Sequence, residues 1–216
     1  MLEIKNITKR YKKGIEEFTA LDNVSFIIEK GDYVAVTGAS GAGKSTLLNV
    51  IGGLIHPDSG EIFYNGREIY QQKSKLTDEY RKKHIGFMFQ QFHLMPYLTV
   101  LENIKLACYE KKQLESIDKF LERCAIKGLK NKYPSELSVG EKQRTAFIRA
   151  IISNPEILLA DEPTGNLDYS NSSILMSLVE NYNNDGGTVI LVSHDPLAAK
   201  NANRRIELEK GKIVNF

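Results

Sequence analysis

Cysteine and tryptophan are scarce in this 216-residue sequence, which holds two cysteines and no tryptophan. The two cysteines, Cys108 and Cys124, cannot build a disulfide framework, and their spacing matches neither a metal site nor a redox motif. We therefore expect two reduced core thiols in a cytosolic protein.

Long apolar runs and a strong charge of one sign are also missing. No stretch approaches the ~20 apolar residues of a membrane-spanning helix, and residues 1–5 lack the pattern of a signal peptide. The net charge is only +2, from 29 basic and 27 acidic residues, so no nucleic-acid partner is indicated. Internal repeats are absent, and the 42% of hydrophobic residues suits the core of one α/β domain.

The most informative segment that is present is a glycine-rich stretch. It matches the G-x-x-x-x-G-K-[ST] spacing, with an apolar strand predicted before it at 33–37 and a helix after it at 45–51. Glycines allow close wrapping, and consecutive N–H groups at a helix start bind phosphate. The predicted nucleotide-binding residues are Gly38, Ala39, Ser40, Gly41, Ala42, Gly43, Lys44, Ser45 and Thr46.

Two side chains of this stretch have predicted roles beyond the backbone. Lys44 is expected to reach the β- and γ-phosphates of a nucleotide, and the Ser45 hydroxyl is expected to bind Mg²⁺. Tyr11 lies upstream, before a basic, glycine-containing segment to Ala20 that we predict to be a loop. A single tyrosine usually serves packing, but near a nucleotide site it becomes a candidate for stacking on adenine.

Three apolar segments predict buried strands, and each leads to polar side chains: 157–160 to Asp161 and Glu162, 188–192 to His194, and 85–89 to Gln90. Ligands bind at the carboxyl ends of parallel strands, so we expect these side chains to meet around the phosphates.

The chemistry of these side chains suggests how they divide the work. Asp161 is expected to orient Mg²⁺ directly or through water, and Glu162 to take a proton from the attacking water. Two solvated acids at a strand end are the alternative reading of this pair. Gln90 can coordinate Mg²⁺ and position the water but cannot be a strong base, and His194 can donate to the γ-phosphate.

The residue pattern from about 91 to 135 predicts helices. Leu114, Ile117, Leu121 and Cys124 are spaced as one amphipathic face, which predicts a helical subdomain inserted into the α/β core. A further helix is predicted from Ser138 to about Ser153, with Ser138 and Glu141 forming a capping box.

Taken in order, these motifs resemble those of ABC-type ATPases along essentially the whole chain. Tyr11 is similar to the adenine-stacking aromatic, Gly38–Thr46 to Walker A, Gln90 to the Q-loop, Ser138–Glu141 to the signature, Ile157–Glu162 to Walker B, Gly165–Asp168 to the D-loop and His194 to the switch histidine. The resemblance implies a P-loop core with a mainly parallel sheet, an N-terminal antiparallel β-subdomain and an inserted helical subdomain. It also implies a single ATPase domain over 1–216, with its core in 1–90 and 154–216 and the helical part at about 91–150.

The resemblance further implies a mechanism. Two copies would face each other head to tail around two ATP molecules with Mg²⁺. In each copy Ser138, Gly140 and Glu141 would contact the γ-phosphate held by Lys44 of the other copy, and Asp168 would belong to the D-loop between them. Closure would drive a membrane permease, which would place the chain at the cytoplasmic face of the membrane.

Finer details resemble the macrolide-exporter and lipoprotein-releasing ATPases. These are the segments 163–168, 11–21 and 92–95. In that branch the permease has few membrane helices and a large extracytoplasmic domain. One departure is Val139 in place of the first signature glycine, which would slow turnover if that position needed a positive φ. Glu141 in place of glutamine adds negative charge near ATP.

The same motifs also suit two other classes of ABC ATPase to different degrees. A regulatory ABC ATPase, whose membrane partner transmits a signal without moving cargo, shares every motif, so only the partner distinguishes it. A DNA-repair ATPase of this fold needs a long coiled-coil insertion between Walker A and the signature. No sustained heptad pattern occurs between Thr46 and Leu137, which argues against that reading.

Overall fold

Two β-sheets form the framework of the chain, whose computed structural model describes residues 1–14, 16–70, 74–193 and 200–215. The smaller sheet is antiparallel, with strands in the order β2 (Glu16–Ile28), β1 (Leu2–Lys13), β4 (Ser59–Tyr64) and β5 (Arg67–Glu68). The larger sheet has the order β10 (Lys212–Asn215), β9 (Arg204–Glu209), β3 (Tyr33–Thr37), β8 (Thr188–Val192), β7 (Ile157–Asp161) and β6 (Ile85–Met88).

All neighbours in the larger sheet are parallel except β9 and β10. Its central strands are continuously apolar because both faces are covered. Leu159 and Ile190 face one hydrophobic core, which lies toward the smaller sheet, whereas Leu158 and Leu191 face a second core among the helices. The carboxyl ends of β3, β8, β7 and β6 therefore lie side by side.

Six α-helices complete the described fold: α1 (Lys44–Ile51), α2 (Ser74–His84), α3 (Val100–Lys105), α4 (Lys111–Arg123), α5 (Val139–Ile151) and α6 (Tyr169–Asn184). Short 3₁₀ turns occur at Lys127–Leu129 and Pro134–Glu136. None of the described helices is long and apolar enough to cross a bilayer. The predicted fold class is confirmed: a mixed α/β chain with an antiparallel β part and a helical insertion.

Two local predictions are wrong, and one helix was not predicted. Residues 11–13 and 16–20 are not a loop, because they belong to the paired strands β1 and β2 of a hairpin. Helix α2 was not predicted, although Leu76 and Tyr80 have helical spacing and its last turn is basic. Residues 91–98 are not helical, because the insertion begins its first helix only after Thr99.

The predicted amphipathic face of α4 is mostly confirmed. Ile117, Leu121 and Cys124 are buried, but Leu114 is exposed near the start of the helix. Both cysteines are free thiols, as expected. Cys124 is buried, which raises its pKa to about 12, whereas Cys108 is only half-buried rather than a core residue.

Candidate active site

The phosphate loop is shaped by glycines that no other residue could replace without strain. Gly38 has φ 140° and Gly43 has φ 106°. A Cβ on Gly38 would lie 2.2 Å from the carbonyl oxygen of Leu208, and one on Gly43 would lie 2.2 Å from that of Ala20. Both positions thus need glycine for conformation and for space. The neighbouring strands β9 and β2 clamp the loop through their backbones.

Helix α1 starts without a side-chain cap. Gly43 is the N-cap and makes no side-chain hydrogen bond, and no acidic residue lies in the first turn. The Lys44 ammonium is buried and donates to the carbonyls of Gly38 and Ala39, each at 2.9 Å. The helix start therefore offers N–H groups, a positive dipole end and a cation to an anion.

Asp161, at the end of β7, lies beside the phosphate loop. Burial raises the pKa of its carboxyl, while a hydrogen bond with the Ser45 hydroxyl and the charge of Lys44 act in the opposite direction. Its Oδ1 is buried without a hydrogen-bond partner. The structure thus brings the phosphate loop and the end of β7 together, and one carboxylate oxygen of Asp161 has no hydrogen-bond partner in the described part of the protein.

Glu162 follows in a strained conformation. Its φ is +47°, which is uncommon for a residue with a side chain, and only 8% of the residue is exposed. Its backbone N–H donates to the carbonyl of Val192 in β8 at 2.8 Å, and its own carbonyl accepts from Gly165 at 3.1 Å. Two backbone contacts therefore hold this carboxyl group where β7 ends.

Gln90 lies close to the same turn. A Cβ built on Gly165 would be 3.4 Å from both the Gln90 amide nitrogen and the Glu162 carbonyl oxygen. The Asn166 amide also donates to the Gln90 carbonyl at 3.4 Å. Gln90, Glu162 and Asp161 thus share one end of the sheet, as the sequence predicts. His194 lies outside the described residues.

Tyr11 lies in the β1–β2 hairpin and has an aromatic neighbour that sequence reasoning missed. Its ring stacks on Phe18, directly across the hairpin, with centroids 5.5 Å apart and an interplanar angle of 27°. Phe18 is exposed. The two rings form one aromatic surface. Sequence reasoning missed this pairing because a segment predicted to be a loop gives no cross-strand neighbours.

The signature segment begins α5 and forms the predicted capping box. Glu141 accepts from the backbone N–H of Ser138 at 2.7 Å, and the Ser138 hydroxyl accepts from the backbone N–H of Glu141 at 3.3 Å. The Ser138 backbone N–H and the Ser138 hydroxyl both donate to the Glu141 carboxylate, and these two bonds lower its pKa, the backbone bond most, and keep it charged. Its negative charge therefore serves the helix start.

The backbone conformation at Val139 does not require glycine. Neither Val139 nor Gly140 has a positive φ. Val139 is exposed at the first position of α5, so its branched side chain causes no backbone conflict. Gly140 is needed for space instead, because a Cβ there would lie 2.1 Å from the Asn171 side-chain oxygen.

Asp168 is the N-cap of α6 rather than a free acid. Its carboxylate accepts from the backbone N–H and from the side-chain amide of Asn171, both at 2.8 Å. These bonds lower its pKa, the backbone bond most. Sequence reasoning missed Gln143, Arg144 and Asn171, which join α5 to this segment, because nothing in local spacing reveals a contact between two helices.

Comparison with known sequences gives one consistent answer. The sequence model of the family described as "ABC transporter" matches residues 21–165. The chain is 40% identical to the macrolide export ATP-binding/permease protein MacB of Pasteurella multocida, over 99% of this chain and 34% of MacB. It therefore spans about a third of MacB's length. It is also 41% identical to the ABC transporter ATP-binding protein MJ1508 of Methanocaldococcus jannaschii, over 100% of this chain and 99% of that protein.

A solved structure agrees over the full chain. The ATP-binding cassette MJ0796, described as a dimer in a post-hydrolysis state with ADP and Pi, superposes with a TM-score of 0.92 at 37% identity. The match covers 100% of this chain and 97% of MJ0796.

Proposed function

The chain belongs to the ABC transporter family and is an ATP-hydrolysing cassette, and we propose that two copies, head to tail, power a separate membrane permease. One observation carries the catalytic part. The half-buried Asp161 of β7 and the Lys44–Ser45 start of α1 meet at the carboxyl end of one sheet, with the buried Glu162 next to them. The two-copy arrangement draws support from the dimeric state given for MJ0796.

The proposed roles follow from the geometry of each group. The backbone of residues 38–46 binds the phosphates, with Lys44 turning from the loop carbonyls to the β- and γ-phosphates. Glu162 takes the proton of the attacking water, and Gln90 positions that water. Tyr11, with Phe18 behind it, offers its ring to the adenine. His194 is proposed as a γ-phosphate donor on its sequence position alone.

The residues present fit a magnesium ion. Ser45, Asp161 and Gln90 supply the oxygen ligands that Mg²⁺ prefers, and Asp161 has one buried oxygen without a partner. Within residues 1–14, 16–70, 74–193 and 200–215 no group of three or more His, Cys, Asp or Glu side chains could hold a metal. Nucleotide oxygens would complete the coordination, and the bound ion would neutralise charge on the phosphates.

In the two-copy arrangement, Ser138, Gly140 and Glu141 of each copy meet the γ-phosphate bound by the other, with Asp168 alongside. The whole chain, 1–216, acts as one ATPase unit, whose helical part at about 91–150 carries the signature. The permease is of the few-helix type with a large extracytoplasmic domain, and the cassette works at the cytoplasmic face of the membrane. The name of MacB, which joins an ATP-binding and a permease part, supports this pairing.

The test is Glu162→Gln. We expect ATP binding to remain, because the phosphate loop is untouched, while steady-state hydrolysis falls by about 10²-fold or more since an amide cannot accept the proton. ATP should then trap a dimer that size-exclusion chromatography detects. Ala substitution of Glu61, an exposed acid in β4, is the matched control and should hydrolyse ATP normally. Near-normal turnover in Glu162→Gln would remove Glu162 from this role.

The permease is tested by co-purification from membranes and transport in vesicles. Cargo movement driven by ATP supports the transporter. Signalling through the membrane partner without cargo movement would favour the regulatory reading instead.

A further inference from the structure

Asn171, in the first turn of α6, joins two segments that come from different parts of the chain. Its side-chain amide donates to the Asp168 carboxylate at 2.8 Å. Its side-chain oxygen accepts from the Arg144 guanidinium at 3.0 Å. Arg144 lies in α5, the helix that starts with the signature. One side chain therefore bonds the signature helix on one side and the D-loop aspartate on the other.

The contact is close as well as hydrogen-bonded. Gly140, the second residue of α5, faces the Asn171 side chain so tightly that a Cβ would be 2.1 Å from its oxygen. A side chain at position 140 would therefore force the Asn171 side chain to move and would disturb its hydrogen bonds. Asn171 thus lies against the signature itself and not merely against the helix that follows it.

A second contact fixes the other end of the same segment. Gln143, which is 1% exposed, donates from its side-chain amide to the carbonyl of Pro163 at 2.7 Å. Pro163 directly follows Glu162. Helix α5 is therefore bonded to the 162–171 segment at both ends, once beside Glu162 and once beyond Asp168.

We propose that Asn171 is a positioning residue for ATP hydrolysis, which holds the signature start of α5 and the Asp168 turn in one fixed relation. This inference rests on the two-copy site proposed above, since both segments are presented to the ATP that the other copy binds. Losing Asn171 leaves both segments folded but free to shift against each other. Hydrolysis then suffers more than nucleotide binding, because Lys44 and the phosphate loop belong to a different part of the fold.

The experiment compares Asn171→Ala with a control in the same helix. Asn183, near the other end of α6, also donates two side-chain hydrogen bonds, to the carbonyls of Gly31 at 2.9 Å and Gly187 at 2.7 Å. Both variants should lower the melting temperature. Only Asn171→Ala should lower kcat, by about tenfold, with KM for ATP changing less than about twofold. An equal kcat in the two variants would overturn the proposal.

A double-mutant cycle sharpens the test. If Asn171 acts together with Arg144, then Arg144→Ala should lower kcat by itself, and the double variant should be little worse than Asn171→Ala. If the fold-losses of kcat in the two single variants multiply in the double variant, Asn171 and Arg144 act independently. That result would contradict the positioning role.

Failure of the two-copy proposal is recognised separately. ATPase activity of the wild-type chain should rise more than linearly with protein concentration, and Glu162→Gln should dimerise with ATP. If neither occurs, the two-copy site and the role of Asn171 both fall. If both occur while Asn171→Ala keeps its kcat, only the role of Asn171 is refuted.

Discussion

The phosphate loop and the signature segment each lead into the N-terminus of a helix that we expect to contact phosphate. Different contacts hold the two segments in place. The phosphate loop is clamped by backbone carbonyls of Leu208 and Ala20, against which a Cβ would clash. The signature start is held by side chains, through its own capping box and through Asn171. The phosphate loop therefore depends mainly on its glycines, whereas the signature start depends on Gly140 and also on side-chain hydrogen bonds that a single substitution removes.

The acidic residues of the two regions also differ in the direction of their pKa shifts and in their hydrogen bonding. Asp161, beside the phosphate loop, has its pKa raised by burial and keeps one oxygen without a partner. Glu141 and Asp168, at the signature side, have their pKa lowered by hydrogen bonds within their own helix starts. The sheet edge thus carries an unsatisfied charge for a ligand, whereas the helix starts are satisfied without one. At the sheet edge the charge that a ligand would need therefore destabilises the fold in the absence of that ligand.

The largest effect is expected from Gly43→Ala. The new Cβ would meet the Ala20 carbonyl at a φ of 106°, so we expect loss of nucleotide binding and a destabilisation above about 2 kcal/mol. Gly41→Ala is the matched control, because φ there is also positive, at 79°, but no atom lies within 4 Å. It should cost only about 1–2 kcal/mol. Thermal unfolding measures the stability of the two variants, and titration with a fluorescent nucleotide measures their nucleotide binding. Equal losses of stability in Gly43→Ala and Gly41→Ala would refute the backbone clamp.

Asp161→Asn should separate stability from activity. We expect hydrolysis to fall by about 10²-fold, while the melting temperature rises because a partly buried charge is removed. The gain depends on pH. The raised pKa of Asp161 means that the folded wild type binds a proton more tightly than the unfolded chain. The ionised carboxylate therefore destabilises the wild type fully above the pKa of the folded state and not at all below the pKa of the unfolded state. The variant should therefore be more stable near neutral pH and equal in acid. A lower melting temperature at neutral pH would contradict this account.

The sequence predicts the first region far better than the second. The spacing of Gly38 to Ser45, and the short apolar strands before Asp161 and Gln90, are local signals, and parallel strands bring their ends together without further information. The capping box of Ser138 and Glu141 is equally local. These features could be predicted because each depends on neighbours within a few residues.

The rest depends on contacts that sequence spacing does not encode. Gly140 looks like a residue chosen for its backbone angles, but its φ is not positive and the constraint is Asn171, 31 residues away in α6. The Tyr11–Phe18 hairpin was hidden by a basic, glycine-containing stretch that looked like a loop. Tertiary packing decided both cases.

Ser138→Ala tests whether the signature does more than cap a helix. Thr99 starts α3 with the same box: its backbone N–H donates to Glu102 at 2.8 Å, and its hydroxyl accepts from the backbone N–H of Glu102 at 3.3 Å. Thr99→Ala and Ser138→Ala should therefore lower the melting temperature by similar amounts. Only Ser138→Ala should also lower kcat, by several-fold, if Ser138 meets the γ-phosphate in the second copy. A similar kcat in both variants would reduce Ser138 to a cap.

The smallest effect is expected from Val139→Gly, which restores the glycine common in ABC signatures. Val139 is 43% exposed and has no positive φ, so the backbone gains nothing from glycine. Glycine also lowers helix propensity slightly, and we expect stability to change by less than about 0.5 kcal/mol. Turnover should stay within about twofold of the wild type, because side chains hold this helix start and none of their hydrogen bonds involves Val139. A marked acceleration would mean that the valine side chain obstructs the facing copy, and stopped-flow measurement of ATP-driven dimer closure would locate that obstruction in the closing step.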